Sequence, residues 1–176
     1  TIPTIKKAYE SLVLAKLAKK VKSVCTPGIP LEAYASDKKF KNLFLDIGLM
    51  NRVMKIDYNE ALSHKNLLAI YRGQLAEQFV GQEFAAATGK HLYYWARDAK
   101  NSNAEIDYLL EQDGTIIPIE VKDGPSGKLK SLHLYRNSYD SKLAVVFHAG
   151  ITGKLKAENM IFLPLYFAGS FAKHGG

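Results

Sequence analysis

The fold of this chain is decided by residues 104–122, which read AEIDYLLEQDGTIIPIEVK. Apolar and polar residues alternate on both sides of Asp113-Gly114, and such alternation is typical of β-strands. An Asp-Gly pair between two runs of this kind is a strong signal for a tight hairpin turn. We therefore predict two antiparallel strands, 104–110 and 115–122, joined at this turn.

Charged side chains interrupt both strands. Because successive side chains of a strand point to opposite faces, Glu120 and Lys122 share a face, and so do Glu105 and Asp107. If the hairpin pairs the strands, Asp107, Glu120 and Lys122 can converge on one side of the sheet. Two carboxylates and an ammonium there can hold a divalent cation and orient a water. Glu105 competes with Asp107 for the role of strand ligand and ranks second.

A helix is predicted upstream, over about 66–88, with Gly89 as its C-cap. At helical spacing Glu77 lies on one stripe with Ile70, Gly73, Val80, Gly81 and Phe84. The opposite side of this helix is also apolar, so we expect Glu77 to be buried, where a carboxylate needs a partner or a metal. The alternative is a structural ion pair with Arg72 or Arg97.

The triplet of acid, any residue and Lys is weak evidence when taken alone. It occurs three more times, beginning at Asp37, Asp98 and Asp140. Only the copy at 120–122 lies inside a continuous apolar strand that follows another acid-bearing strand. A surface ion pair between Glu120 and Lys122, with Asp107 as an exposed strand residue, remains the simple alternative.

Length and composition suit a single domain, or a small domain with an appended piece. The chain has 176 residues, of which 47% are apolar, so it can bury a core without staples. The single cysteine, Cys25, excludes an internal disulfide framework and favours a reducing, cytoplasmic setting. No apolar run reaches the length needed to span a bilayer. The first residue is Thr rather than Met, so we expect a fragment of a longer protein.

Positive charge is concentrated in the N-terminal third. Residues 1–65 hold twelve Lys and Arg against six Asp and Glu, a balance of +6, whereas residues 66–176 hold twelve against eleven, a balance of +1. Phosphate backbones attract such a basic segment through counterion release. A solvated Lys-rich surface explains the charge equally well.

The remaining elements are predicted from periodicity and turn residues. In the N-terminal part, the expected elements are a helix from Thr4 to about Val21, a short strand, a strand over 40–46 and a helix over 49–53, a winged-helix-like arrangement. Further along, they are a strand over 91–97, a helix over 129–135, a strand over 143–147 and a strand or packing arm over 160–167, followed by a frayed tail from Gly169. The order in the main part is helix, three strands, helix, strand, which predicts an α/β fold.

The spacing of the residues argues against several site chemistries. The five His residues show no ligand spacing, which argues against zinc. Ser, His and Asp form no recognisable nucleophile arrangement. No Gly-rich phosphate loop followed by Lys and Ser or Thr is present, so this chain alone should not hydrolyse ATP.

Taken together, the motifs resemble the PD-(D/E)xK nuclease superfamily, whose core is helix, three strands, helix, strand. More narrowly, the chain resembles the nuclease-like domain of uncharacterised function at the C-terminus of many bacterial and archaeal AAA+ ATPases. The landmarks are Lys41–Leu49, Gly73-x-x-x-Glu77-x-Phe79-Val80, Tyr94-Trp95, Ala104–Asp107, Ile119–Lys122 and Pro164-Leu165-Tyr166. The resemblance covers about residues 1–167.

The resemblance implies a restriction-endonuclease-like core over 66–176, with residues 1–65 as a winged-helix-like connector after an ATPase module of the same polypeptide. It implies that Asp107 and Glu120 ligate Mg²⁺ or Mn²⁺, that Glu77 completes the acidic cluster, and that Lys122 orients or helps to deprotonate the attacking water. The implied partner is DNA. A non-catalytic module of the same fold, docking nucleic acid or protein, is the alternative.

Overall fold

The computed structural model describes residues 2–55, 65–99, 103–124, 128–155 and 159–174. Its helices are α1 (Ile2–Leu14), α2 (Ile47–Val53), α3 (Lys65–Thr88), α4 (Lys130–Ser138) and α5 (Ala168–His174). Its strands are β1 (Ala18–Val24), β2 (Ala35–Phe44), β3 (Leu92–Ala96), β4 (Glu105–Gln112), β5 (Thr115–Val121), β6 (Ala144–His148), β7 (Gly153–Leu155) and β8 (Met160–Pro164).

In the described part of the chain the strands form one mixed eight-stranded sheet, in the order β2-β1-β3-β4-β5-β6-β8-β7. This confirms the predicted α/β class. The hairpin between β4 and β5 is also confirmed, because the two strands pair antiparallel from Tyr108↔Ile119 to Gln112↔Thr115. Asp113 and Gly114 both have positive φ, 48° and 69°. A two-residue hairpin turn of type I′ requires that conformation at both positions.

The N-terminal hairpin extends the same sheet. β1 pairs antiparallel with β2 and parallel with β3. The prediction that the first helix continues to Val21 is wrong: α1 ends at Leu14, and Val21 is fully buried within β1. The Lys and Ala residues of this segment favour a helix locally. Burial of Val21 and Val24 in the sheet outweighs that preference.

The predicted division at residue 65 into an N-terminal connector and a C-terminal domain stays a prediction. Residues 56–64, which adjoin this boundary, lie outside the described residues. On the N-terminal side the described elements are a helix followed by two strands and α2, in the predicted order. Asp46 caps α2, because its side chain accepts a hydrogen bond from Leu49 N at 2.7 Å.

Helices cover both faces of the sheet. On one face, Val80 and Phe84 of α3 pack with Tyr108, Ile119 and other buried residues. On the other, Leu132 and Tyr135 of α4 form a second buried cluster with neighbours that include a tryptophan of β3. The sheet is therefore the middle of three layers, an arrangement that buries both of its faces.

The C-terminal segment differs from its prediction. Residues from Gly169 onward were expected to be frayed, but Ala168–His174 forms α5, which packs against α3. Phe171 and Ala172 are buried there, and the Phe171 ring contacts Phe147 edge to face. Hydrophobic burial thus orders a segment whose Gly and Ser content predicted none.

The helices were compared with the requirements of a membrane span. None of those in the described residues combines the length and the hydrophobicity that a membrane crossing requires.

Candidate functional site

The site is built where β4 and β5 separate. Their regular pairing ends at Tyr108↔Ile119, and Asp107 is the next residue towards the open end. There the Asp107 side chain replaces the missing backbone partner: its Oδ2 accepts a hydrogen bond from Val121 N at 2.7 Å. The carboxylate therefore lies at the opening between the two strands, with only 12% of its side chain exposed.

A β-bulge in β4 sets the direction of this carboxylate. Tyr93 pairs with Leu109 and Trp95 pairs with Ile106, so Asp107 and Tyr108 together oppose Tyr94. Such a bulge re-aims side chains at the point where it occurs.

The bulge also ties β4 to helix α3. Tyr108 Oη donates to the backbone oxygen of Glu77 at 2.8 Å. This close approach requires Gly81 one turn further along α3, because a Cβ at that position would overlap Tyr108 Oη and Leu43 Cδ1. Glu77 is thereby held beside the β4 acids.

Lys41 of β2 is the cation at the centre of the acids. Its Nζ forms an ion pair with Glu105 and lies 3.6 Å from Glu77 Oε2 and 4.0 Å from Asp107 Oδ1. It also sits 5.0 Å from the centroid of the Tyr94 ring. Burial lowers the pKa of Lys41, but the carboxylates of Glu77, Glu105 and Asp107 outweigh burial and raise that pKa overall. The ammonium is thus held firmly in its charged form.

Sequence reasoning missed Lys41 as a site residue. A signal was available: Lys41 and Leu43 share a face of β2 by strand alternation, and Leu43 is buried in the core below α3. A lysine next to a core position on the same face needs a buried or half-buried partner. Which carboxylates would supply it could not be inferred, since they lie on other elements.

Glu120 and Lys122 form the second part of the site. Lys122 Nζ contacts Glu120 Oε1 at 2.5 Å. Only 9% of the Glu120 side chain is exposed, so this is not the solvated surface pair of the simple alternative. Glu120 Oε2 is buried and has no hydrogen-bond partner among the described residues. A buried acceptor without a hydrogen-bond partner reduces the stability of the fold, and a bound cation would supply the missing interaction.

Both strand carboxyls are poised towards protonation. Burial, followed by the charges of Glu77 and Glu120, raises the pKa of Asp107 well above its usual range, and Lys41 and the Val121 N–H oppose this. Burial also raises the pKa of Glu120, against the opposing effect of Lys122. Glu120 is thus close enough to disfavour the charge of Asp107, and Glu77 disfavours the charge of Glu120.

The structure brings the predicted residues together in two groups. Glu77 and Asp107 share Lys41, whereas Lys122 pairs with Glu120; in the described ranges these two lysines have no carboxylate partner in common. Asp107 links the groups through its interaction with Glu120. The roles assigned to these residues stay predictions.

Two expectations about Glu77 are wrong. It was expected to be buried, but 37% of its side chain is exposed, because Ala76 and Val80 occupy the positions that face the core directly. Its cationic neighbour is Lys41, rather than Arg72 or Arg97 as the structural alternative held. Between Glu105 and Asp107, the latter is more buried and is the one linked to Glu120.

The charges of the site do not balance. Four carboxylates (Glu77, Glu105, Asp107 and Glu120) surround two ammonium groups (Lys41 and Lys122), so the site carries a formal charge of −2 when all are ionised. Within the described residues, no group of three or more His, Cys, Asp or Glu side chains is arranged to hold a metal ion. Asp107 and Glu120 have the carboxylate oxygens that Mg²⁺ prefers, and this ion keeps several waters and needs only one or two carboxylates.

A basic groove lies further along β2 and α3. We use this name for the cavity of about 580 Å³ between α1, the start of β1 and the end of α3. Its basic lining residues are Lys16, Lys19, Lys20, Lys22, Lys90 and His91. Two of them are already paired with acids, Lys20 with Glu10 and Lys22 with Glu32 and Asp37. Burial, followed by the charge of Lys16, lowers the pKa of Lys19, as expected for crowded positive charge. Such a groove suits a phosphate backbone.

Comparison with protein families gives one finding for this chain. Residues 72–167, more than half of its length, match the family described as Domain of unknown function (DUF4143). The matched region contains Glu77, Glu105, Asp107, Glu120 and Lys122, whereas Lys41 lies before it. Comparison with curated proteins and with solved structures gives no match.

Proposed function

The chain belongs to the DUF4143 family, whose function is unknown, and from its own residues we propose that it hydrolyses phosphodiester bonds of DNA with a divalent metal ion, Mg²⁺ or Mn²⁺. In this proposal Asp107 and Glu120 hold the metal, Glu77 adds to the acidic cluster and Lys122 acts at the reacting phosphate. An AAA+ ATPase module of the same polypeptide works with this domain.

One observation carries the proposal. Glu120 Oε2 is buried without a hydrogen-bond partner, and the carboxyl that bears it interacts with Asp107 at the opening between β4 and β5. Two nearly buried acids whose pKa values are both raised, that of Asp107 partly by the charge of Glu120, are unfavourable in a purely structural role. A divalent cation would remove the repulsion, satisfy the free oxygen and neutralise the formal charge of −2.

Lys122 has a role that follows from its place. Its ammonium lies against Glu120 Oε1, next to the oxygen that has no partner. From there it can orient a water or place positive charge where negative charge develops on the phosphate. Mg²⁺, when bound, supplies an activated water and stabilises the leaving oxygen. Removing an electrostatic group of this kind typically lowers the rate about 10²–10³-fold.

DNA as the substrate is supported by the basic groove. The groove follows the site along β2, since Leu43 and Phe44 line it and Lys41 lies two residues earlier on the same strand. A strand of DNA that crosses the acidic site would therefore meet the lysines of this groove that are not engaged by Glu10, Glu32 or Asp37, namely Lys16, Lys19 and Lys90. This arrangement compensates for the repulsion between phosphates and the acidic site.

The AAA+ module is supported by the resemblance of the sequence landmarks over residues 1–167. The chain itself has no phosphate-binding loop, so any ATP-driven movement of DNA has to come from another module. Such a motor would deliver DNA to the acidic site.

A second function is favoured by Lys41. Its ammonium already neutralises part of the acidic cluster, through Glu105, Glu77 and Asp107. If that cation is permanent, the domain docks nucleic acid or protein without cutting it. The two functions differ in whether a metal competes with Lys41 for the carboxylates.

The test is cleavage of supercoiled plasmid and of single-stranded DNA in Mg²⁺ or Mn²⁺. We expect activity in the wild type and a loss of about 10²-fold or more in Lys122→Ala. Lys142→Ala, which removes an exposed lysine outside the site, is the matched control and should retain activity. The chain joined to its ATPase module and supplied with ATP provides the most favourable conditions. If DNA is bound but not cut under those conditions, the docking function replaces hydrolysis.

A further inference from the structure

The Lys41 ammonium lies among carboxylates of two other elements. Its Nζ forms an ion pair with Glu105 of β4 and lies 3.6 Å from Oε2 of Glu77 on α3. The Oδ1 atom of Asp107 is 4.0 Å away. Only 27% of the lysine side chain is exposed, so the ammonium depends on these acids for much of its polar environment. Three carboxylates thus surround one positive charge.

Asp107 is shared between this ammonium and the proposed metal position. Its Oδ1 approaches Lys41, and the same carboxylate interacts with Glu120, whose Oε2 has no hydrogen-bond partner among the described residues. A carboxylate has two oxygens and can serve two cations at once. In nucleases that use two metal ions, the ions lie about 3.5–4 Å apart. Lys41 therefore stands where the second cation of such a pair would lie.

The charge of the cluster suits one divalent ion. With its four carboxylates and two ammonium groups ionised, the site has a formal charge of −2. A single divalent ion at Asp107 and Glu120 neutralises this charge. A second ion would add two more positive charges close to Lys41, and repulsion by the ammonium would oppose its binding.

We propose that Lys41 takes the place of a second metal ion, so that the site binds one divalent ion while the ammonium is present and two when it is removed. The ion competes with the ammonium for Asp107 alone, while Glu77 and Glu105 stay with the ammonium. This inference rests on the proposed function in placing a divalent ion at Asp107 and Glu120. It makes Lys41 a positioning residue, which fixes the number of ions and the arrangement of the acids.

Without the ammonium, a hydrated ion fits between the same acids. The separations of 3.6 and 4.0 Å from Nζ are longer than the direct bonds of Mg²⁺, which measure about 2.1 Å. Mg²⁺ keeps several of its waters, and these can donate to the carboxylates instead. Glu77 and Glu105 are partly exposed, so their side chains can adjust to the ion. We therefore expect the second ion to bind in place of the ammonium, and more weakly than the first.

The test counts bound Mn²⁺ by EPR, because free Mn²⁺ gives a sharp signal that is lost on binding. Titration of the whole chain without DNA should give one ion for the wild type and two for Lys41→Met, which has a side chain of similar length without the charge. Lys39→Met is the matched control on the same strand. It should keep one ion, because Lys39 is exposed and lies 3.8 Å from the exposed Asp98.

A double variant locates the second ion. Adding Glu105→Gln to Lys41→Met removes a carboxylate from the position of the former ammonium, so the second ion should bind about 10–100-fold more weakly. Circular dichroism checks that each variant is folded. If Lys41→Met does not fold, Lys41→Gln replaces it, because its amide can still donate hydrogen bonds to the acids.

Two ions on the wild type would overturn the inference and leave the proposed function in place. A single ion on the folded Lys41 variant, or a second ion whose affinity does not depend on Glu105, would overturn it as well. If the Lys41 variant gains its second ion but the wild type cleaves no DNA, the role of Lys41 stands and hydrolysis is removed. If the wild type binds no ion at all, both are overturned.

Discussion

Lys41 on β2 forms an ion pair with Glu105 on β4, although β1 and β3 lie between these strands in the sheet. The two side chains bridge this distance together, with Lys41 Nζ over the Tyr94 ring at 5.0 Å from its centroid. In the same position Nζ is close to Glu77 and Asp107. The acidic cluster therefore has an internal counter-ion, and its properties depend on a strand far away in the sequence.

Removing that counter-ion should destabilise the protein at neutral pH. Lys41→Ala leaves Glu77, Glu105 and Asp107 facing one another, and we expect a loss of roughly 1–3 kcal/mol, less than the 3–5 kcal/mol typical of fully buried pairs. Urea unfolding of both proteins at about pH 7 measures this difference in the free energy of unfolding. Mg²⁺ should restore part of the stability, because a ligand that binds only the folded state stabilises it, and increasingly so as its concentration rises above Kd.

Lys39→Ala is the control for Lys41→Ala. Lys39 lies on the same strand, but it is exposed and lies 3.8 Å from the exposed Asp98. Its loss should change stability by less than about 0.5 kcal/mol. Equal effects of the two substitutions would show that the Lys41 cluster has no special energetic role.

The pH dependence of stability should reveal Asp107. Its pKa in the folded state lies above the ordinary value of 3.8, because burial and the charges of Glu77 and Glu120 disfavour ionisation. The folded protein thus holds this proton more tightly, and the contribution of Asp107 to stability falls as pH rises from the ordinary value through the folded-state pKa. Asp107→Asn has no carboxyl to ionise, so this loss of stability with rising pH disappears. The side-chain oxygen of Asn can still accept the hydrogen bond from Val121 N.

We therefore expect Asp107→Asn to be more stable than wild type at about pH 7, by roughly 0.5–2 kcal/mol, with the difference shrinking towards pH 4. Urea titrations across this pH range would show it. The exposed Asp98→Asn should show no such trend. A destabilised Asp107→Asn at neutral pH would mean that Lys41 and the Val121 hydrogen bond outweigh burial.

Two glycines of α3 should respond oppositely to alanine. At Gly81 a Cβ would overlap Tyr108 Oη and Leu43 Cδ1, so Gly81→Ala should cost about 1–3 kcal/mol through overpacking. At Gly73 an added Cβ would have no atom of the described residues within 4 Å, so Gly73→Ala should stabilise the helix by about 0.4–1 kcal/mol. Thermal unfolding of both variants measures the contrast.

The reason for the Gly81 effect can be tested with a second substitution. Tyr108→Phe removes the hydroxyl nearest to the added methyl group. In the double variant the cost of Gly81→Ala should therefore be smaller than in the wild-type background. If the effects of Gly81→Ala and Tyr108→Phe on stability were additive, the contact with the Tyr108 hydroxyl would not be the cause of the destabilisation.

DNA binding should depend on salt through the basic groove. We expect Lys16→Ala combined with Lys19→Ala to reduce the slope of log affinity against log salt by about 1.4 for single strands, or about 0.7 for each lost phosphate contact. Anisotropy over roughly 50–200 mM salt measures this slope. The exposed Lys142→Ala should leave it unchanged. An unchanged slope in the double variant would show that the DNA does not contact the basic groove.

Local signals predicted the central hairpin well. Asp113-Gly114 specifies a turn that needs two positive φ angles, and the alternating residues around it specify the strands and their pairing. From that pairing the sequence could place Asp107 close to Glu120. Where local preference and burial disagreed, as between α1 and Val21, the sequence-based prediction was wrong.

The sequence alone was enough to place the acids of β4 near the acid and lysine of β5, because a hairpin joins residues that are close along the chain. The position of Lys41, the bulge opposite Tyr94 and the separation of β4 from β5 were decided only by the tertiary structure. These features depend on the order of strands in the sheet and on the packing of α3 against it. Contacts over such long separations leave no local pattern, so the charge balance of the site became visible only in the folded chain.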